Sequence, residues 1–131
     1  MTEPEFLLRD VVEYLHDQAV RSYGGHFGIR DNEMLESALA GPREKWAYGD
    51  PLPDMADLAA AYAFGIGRNH AFIDGNKRTG WAAGVLFLKV NGVSIGSSGA
   101  TTVANMAQLA EGVLSEEAFA GWLRSRIQPR P

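Results

Sequence analysis

Apolar residues recur along most of this chain at the three- and four-residue spacing of a single helical face. Leu7, Val11, Leu15 and Ala19, flanked by Leu8 and Val12, make the first such stripe. Thr2 and Glu5 have capping-box spacing ahead of it, and Gly24-Gly25 marks its end. Asp31 is placed to cap a short second helix through Met34, Leu35, Ala38 and Leu39, which Gly41-Pro42 should stop. Residues 46–53 read as a loop from their Pro and Gly content. Asp54, with Asp57 in the first turn, should cap a third helix. Residues 55–66 are apolar nearly all round, and so are residues 81–90, closed by Asn91-Gly92. A helix without a polar face is a buried, central one. Val103, Met106, Ala107, Ala110, Val113 and Leu114 predict a further amphipathic helix. Ser115 should cap the last, with Phe119, Trp122, Leu123 and Ile127 facing inward. Residues 93–95 alone look strand-like, and they are too short to build a sheet. The pattern predicts an all-α fold, a compact bundle around two buried central helices.

Composition narrows this picture. A chain of 131 residues suits one core, so residues 1–131 are expected to form a single domain. The absence of Cys excludes a disulfide framework, a thiol nucleophile and any Cys-ligated metal. No apolar run reaches the length of a membrane span, and the acidic start of the chain is unlike a targeting segment. A cytoplasmic location away from membranes is the expectation. The net charge of −4 argues against direct nucleic-acid binding. That charge is uneven: residues 1–60 carry 5 basic and 12 acidic groups, residues 61–131 carry 7 basic and 4 acidic ones. An anion site is therefore expected in the second half. Arg124, Arg126 and Arg130 read as cations complementing a helix end.

Residues 68–79, between the two apolar helices, break the pattern. They concentrate His70, Asp74, Asn76, Lys77 and two Arg where a plain connector would serve. Phe72 and Ile73 should pin the segment onto the core. Gly75 and Asn76 begin the next helix, so the free N–H groups of its first turn point into the loop and favour an anion. Gly75 lets a ligand approach the backbone closely. Lys77 and Arg78 oppose the helix dipole unless an anion such as phosphate sits between them. Asp74 would repel phosphate, and Mg²⁺ between the two resolves the conflict. His70 is suited to accept a proton from a hydroxyl. A bland alternative stands beside this: Asp74 as a helix cap, His70 as a structural loop residue, Lys77 and Arg78 as surface cations. His16 reads as a packing or hydrogen-bonding residue, His26 as a loop residue. Trp46 and Tyr48 are placed either to line the mouth of the site or to pack at its rim.

The nine residues from His70 to Arg78, HAFIDGNKR, resemble the motif of the Fic/Doc superfamily, His-x-Phe-x-acid-small-Asn-x-Arg. The Asn-Lys-Arg form is similar to the death-on-curing toxin branch. Leu15-His16-Asp17, Gly24-Gly25, Gly28-Ile29-Arg30-Asp31, Leu35-Glu36-Ser37-Ala38 and Asn91-Gly92 extend the likeness across residues 6–92. The resemblance implies a helical bundle with the motif between two central helices. It also implies transfer from ATP to a hydroxyl of a target protein. His70 would be the general base and Asp74 would hold Mg²⁺; Gly75 and Asn76 would cradle phosphate, Lys77 and Arg78 would grip it, and Arg68 would add a contact. Members that transfer AMP have Gly where Lys77 stands and a second Arg where this chain has Trp81. The branch sharing this departure is associated with transfer of the terminal phosphoryl group to a threonine of elongation factor Tu. A toxin of this kind is expected to block translation, and to be held by an antitoxin whose flexible C-terminal segment folds onto it. AMP transfer and a non-catalytic, partner-binding module are the alternatives.

Overall fold

Two helices, α3 (Met55–Asn69) and α4 (Asn76–Val90), form the centre of the computed structural model, which describes residues 2–96 and 99–128. Around them lie α1 (Arg9–Tyr23), α2 (Asn32–Tyr48), α5 (Gly99–Glu111) and α6 (Glu116–Arg126). Helices α2, α5 and α6 pack on α3, and α1 packs on α4. A ladder of two residues a side, β1 (Ser94–Ile95) with β2 (Ile127–Gln128), runs antiparallel and ties the end of α6 to the segment after α4. The predicted all-α bundle is thus the observed one.

The central pair approaches closely because small residues face each other. A Cβ on Gly80 would lie 2.9 Å from the Ala63 carbonyl oxygen, and one on Gly84 would lie 3.0 Å from that of Ala59. Helix α3 is buried on almost every side, as its sequence requires, with Leu58, Tyr62 and Ile66 fully covered. Helix α4 is less enclosed than its apolar run predicts. Gly80, Ala83, Gly84 and Phe87 are buried, but Val90 is half-exposed and Trp81 only partly covered.

Several boundaries differ from the pattern-based reading. Helix α1 begins at Arg9 with no side-chain cap, not at Thr2. Residues 2–8 instead strap the central helices. The Leu7 N–H donates to the Tyr62 hydroxyl at 2.9 Å, and the Glu5 N–H and C=O pair with the Asn91 side chain. Buried Val12, His16 and Val20 form the inner row of α1, one residue along from the stripe read from sequence. Gly24 ends the helix at φ 87°, as predicted. Asp31 caps α2 by accepting from the Met34 N–H, but the helix runs through Pro42 to Tyr48. A proline removes one backbone bond; here Pro42 is buried, and that packing carries the helix through. The predicted loop therefore shrinks to residues 49–54. Trp46 packs on the core and Tyr48 is fully outside it. Asp54 and Asp57 make a reciprocal capping box, and Ser115 caps α6. The buried row of α5 is Thr102, Met106 and Leu109, while Val103 and Val113 are exposed. Arg124 is not a plain solvated helix end: it donates to Asp54 at 2.7 Å and Asp57 at 3.0 Å, joining α6 to the start of α3. Arg130 lies outside the described residues.

Candidate active site

The loop between α3 and α4 is held from both sides. Phe72 is buried and its ring stacks on the His16 imidazole, centroids 3.8 Å apart and nearly parallel. His16 Nε2 lies 2.8 Å from the Asp74 carbonyl oxygen. A carbonyl only accepts, so Nε2 carries the proton and donates. His16 thus has the packing and hydrogen-bonding role expected of it. From the other side, residues 24–31 cross the loop. Ile29 pairs with Phe72 in an antiparallel bridge, and the Ile73 N–H donates to the Gly28 carbonyl at 3.1 Å. Phe72 pins the loop, whereas Ile73 is half-exposed and rests on Gly28.

Each motif residue then takes a defined place. His70 ends α3 in the left-handed region, at φ 51° and ψ 47°, with its side chain at the surface. Asp74 is not the helix cap. Its carboxylate accepts the His26 backbone N–H at 2.7 Å, and Gly25 packs so tightly on it that an added Cβ would sit 3.0 Å from the Asp74 Cβ. Gly75 is the N-cap of α4 at φ 77°, a left-handed position that glycine occupies without strain, and no side chain caps the helix. Among the described residues, the first-turn N–H groups of Asn76, Lys77 and Arg78 have no hydrogen-bond partner within the chain. That is the arrangement of a helix-terminal anion site.

Asn76 and Arg68 make further contacts within the chain. The Asn76 side chain is buried and closes a ring on the Phe72 backbone, accepting its N–H at 3.0 Å and donating to its carbonyl at 2.9 Å. It shapes the loop, which leaves only its main-chain N–H for a phosphate. Arg68 is exposed, with its guanidinium over the Phe64 ring and against Gly112 at the end of α5.

Lys77 and Arg78 are exposed and stand at the wall of a groove of about 520 Å³ between α1, α4 and α5. Leu15, Ala19, Trp81 and Met106 line it, so it is largely apolar with a cationic rim. The Arg78 guanidinium lies 3.6 Å from the centroid of the Tyr23 ring. Trp81, where a second Arg would stand in AMP-transferring proteins, packs against Trp122 at 5.7 Å. Neither Trp46 nor Tyr48 lines this groove. Sequence reasoning missed His26 and Arg30 as partners of the motif, because both act from a loop distant in sequence and His26 acts through its main chain.

No group of three or more His, Asp or Glu side chains among the described residues is placed to cage a metal. A lone carboxylate beside an uncapped helix end suits Mg²⁺, which binds through one or two carboxylates with substrate phosphates completing its shell.

Comparison with known proteins identifies relatives of this chain. The chain is 42% identical over 91 residues to Toxin Doc of Mycolicibacterium smegmatis (strain ATCC 700084 / mc(2)155), covering 65% of this chain and 69% of that one. It is 35% identical over 81 residues to Protein kinase doc of Escherichia phage P1, covering 62% of this chain and 64% of that one, less than two thirds of the phage protein. The Fic/DOC family model matches residues 6–88, which take in α1 to α3, the whole motif loop and all but the last two residues of α4. More than half of the sequence is covered by that match, and the chain belongs to the Fic/DOC family.

Proposed function

We propose that this protein is the toxin of a toxin–antitoxin pair and transfers the terminal phosphoryl group of ATP to a Ser or Thr hydroxyl of a target protein such as elongation factor Tu. The observation that carries this reading is the uncapped N-terminus of α4, opened by left-handed Gly75 and flanked by Asp74, Lys77 and Arg78. The names of its relatives, a Doc toxin and a doc protein kinase, support it.

The chain's own groups divide the work. The N–H groups of Asn76, Lys77 and Arg78 bind phosphate oxygens without reorganising, because the helix fixes them. Lys77 and Arg78 supply full charges at the same end. Asp74 would hold Mg²⁺, which would supply neutralisation of phosphate charge. His70 accepts the proton of the attacking hydroxyl as its oxygen bonds to the γ-phosphorus. The bond from that phosphorus to the bridging oxygen breaks, and ADP leaves. AMP transfer is disfavoured because Trp81 is an indole packed on Trp122 at the place where that chemistry uses a second guanidinium.

The groove between α1, α4 and α5 is the place for an antitoxin segment. Its apolar lining suits the apolar face of a helix, and its rim of Lys77 and Arg78 suits acidic side chains. A segment seated there would cover both cations and so inhibit transfer.

The test supplies ATP labelled at the α- or the γ-phosphate, with magnesium and elongation factor Tu. Label retained from the γ position alone is expected. Retention from the α position would replace this reading with AMP transfer. His70→Ala should lower the rate by roughly 10²- to 10⁴-fold, the usual worth of a general base. Growth inhibition that survives His70→Ala would leave a binding module.

A further inference from the structure

We propose that Arg30 is a positioning residue for His70, fixing the backbone from which the imidazole projects. The inference rests on the functional reading above, in which His70 is the base.

His70 is the one non-glycine residue with positive φ among those described. L-residues rarely adopt that conformation, so surrounding contacts must impose it. Arg30 makes those contacts. Its Nε donates to the His70 carbonyl at 2.7 Å, and one of its terminal nitrogens donates to the Asn69 carbonyl at 3.3 Å. The backbone N–H groups of Arg30 and Asp31 donate to the Ala71 carbonyl at 2.8 Å and 3.1 Å. Four donors from one short stretch therefore hold three successive carbonyls, at the point where α3 ends and its last carbonyls need partners. A cation also complements the negative end of the helix dipole. The planar guanidinium fork reaches two carbonyls at once, which a lysine ammonium cannot do in the same geometry.

The same stretch holds Asp74 through the His26 N–H. Residues 26–31 thus set both ends of the motif loop, the imidazole at one and the carboxylate at the other. Arg30 is exposed, so replacing it opens no cavity in the core. Its loss should show in the placement of His70 and not in the stability of the bundle.

The experiment compares the parent with Arg30→Met, Arg30→Lys, His70→Ala and the Arg30→Met/His70→Ala double variant. Two readouts are taken: transfer from labelled ATP, and the φ-sensitive backbone couplings of residue 70 by NMR. Arg30→Met should lose the left-handed signature of His70. It should lower kcat on the order of tenfold to a hundredfold, the cost of a misplaced catalytic group, with KM for ATP unchanged. In the His70→Ala background the same change should cost nothing further, because there is no imidazole left to place. Arg30→Lys should fall between Arg30→Met and the parent. The proposal is overturned if Arg30→Met keeps the left-handed signature, or if it lowers kcat equally with and without His70. If His70→Ala turns over like the parent, the functional reading fails instead, and the Arg30 contact is then decided by the NMR signature alone.

Discussion

At the scale of single residues, the motif depends on groups whose roles are set by what they touch. Asn76 shows this best. Its position in the motif is readable from sequence, but its side chain is taken up by the Phe72 backbone, so only its main-chain N–H is left for a ligand. Asp54 is a second case. Its hydrogen bonds with Arg124 hold its carboxyl down at about 2 from the usual 3.8, with the Asp57 amide assisting against the cost of burial. A carboxyl depressed in the folded state contributes its stability above the unfolded value and loses it as pH falls through the folded one. Arg124→Met should therefore destabilise the protein at neutral pH by about 1 kcal/mol, a figure reduced for the half-exposed setting of the pair. Urea unfolding of parent and variant should converge as pH drops from 3.8 toward about 2. A difference that persists unchanged through that window would place the effect in packing.

At the scale of elements, the crossing of α3 and α4 decides where the motif loop sits. Gly80 and Gly84 let the two backbones approach, and the loop between them is anchored by that contact. Gly80→Ala would drive a methyl to 2.9 Å from the Ala63 carbonyl oxygen, with the Gly67 backbone 3.1 Å away. Both neighbours are main chain and cannot step aside. Overpacking of this kind costs roughly 1–3 kcal/mol and should lower Tm by several degrees. Gly121→Ala is the matched control. Its added methyl meets nothing within 4 Å at an exposed position of α6, so helix propensity should raise stability by roughly 0.5–1 kcal/mol. Differential scanning calorimetry of both variants checks the pair; a Gly80→Ala protein as stable as the parent would mean the helices separate freely.

At the scale of the molecule, residues distant in sequence close the structure around the loop. Residues 2–8 cross back to Tyr62 and Asn91, and Arg124 reaches the start of α3. Among the described residues, the Tyr62 hydroxyl alone accepts the buried Leu7 N–H. Tyr62→Phe should thus strand that donor and cost about 1–3 kcal/mol, measured by denaturant unfolding. Helix α1 also divides two surfaces. Leu15, Ala19 and Tyr23 face the groove with its cationic rim, while Asp10, Glu13 and Asp17 border an acidic recess against Phe27 and Gly28. Of the basic groups in the second half, Lys77 and Arg78 stand at the groove end of α4, while Arg124 pairs with Asp54 and Asp57.

The helices, most of their caps and the motif are legible in the chain alone. Each follows from local rules: apolar periodicity, Asp or Ser ahead of a helix, Gly after one, and nine adjacent residues at fixed spacing. Those rules misplaced the start of α1 and the end of α2, where tertiary hydrogen bonds to Tyr62 and Asn91 and the burial of Pro42 outweigh local propensity. The Asn76 side chain turns onto the backbone only four residues before it, whereas His26 and Arg30 reach the loop from forty or more residues away. Which distant donor reaches which oxygen leaves no periodic trace in the chain, so those two contacts belong to the tertiary structure alone.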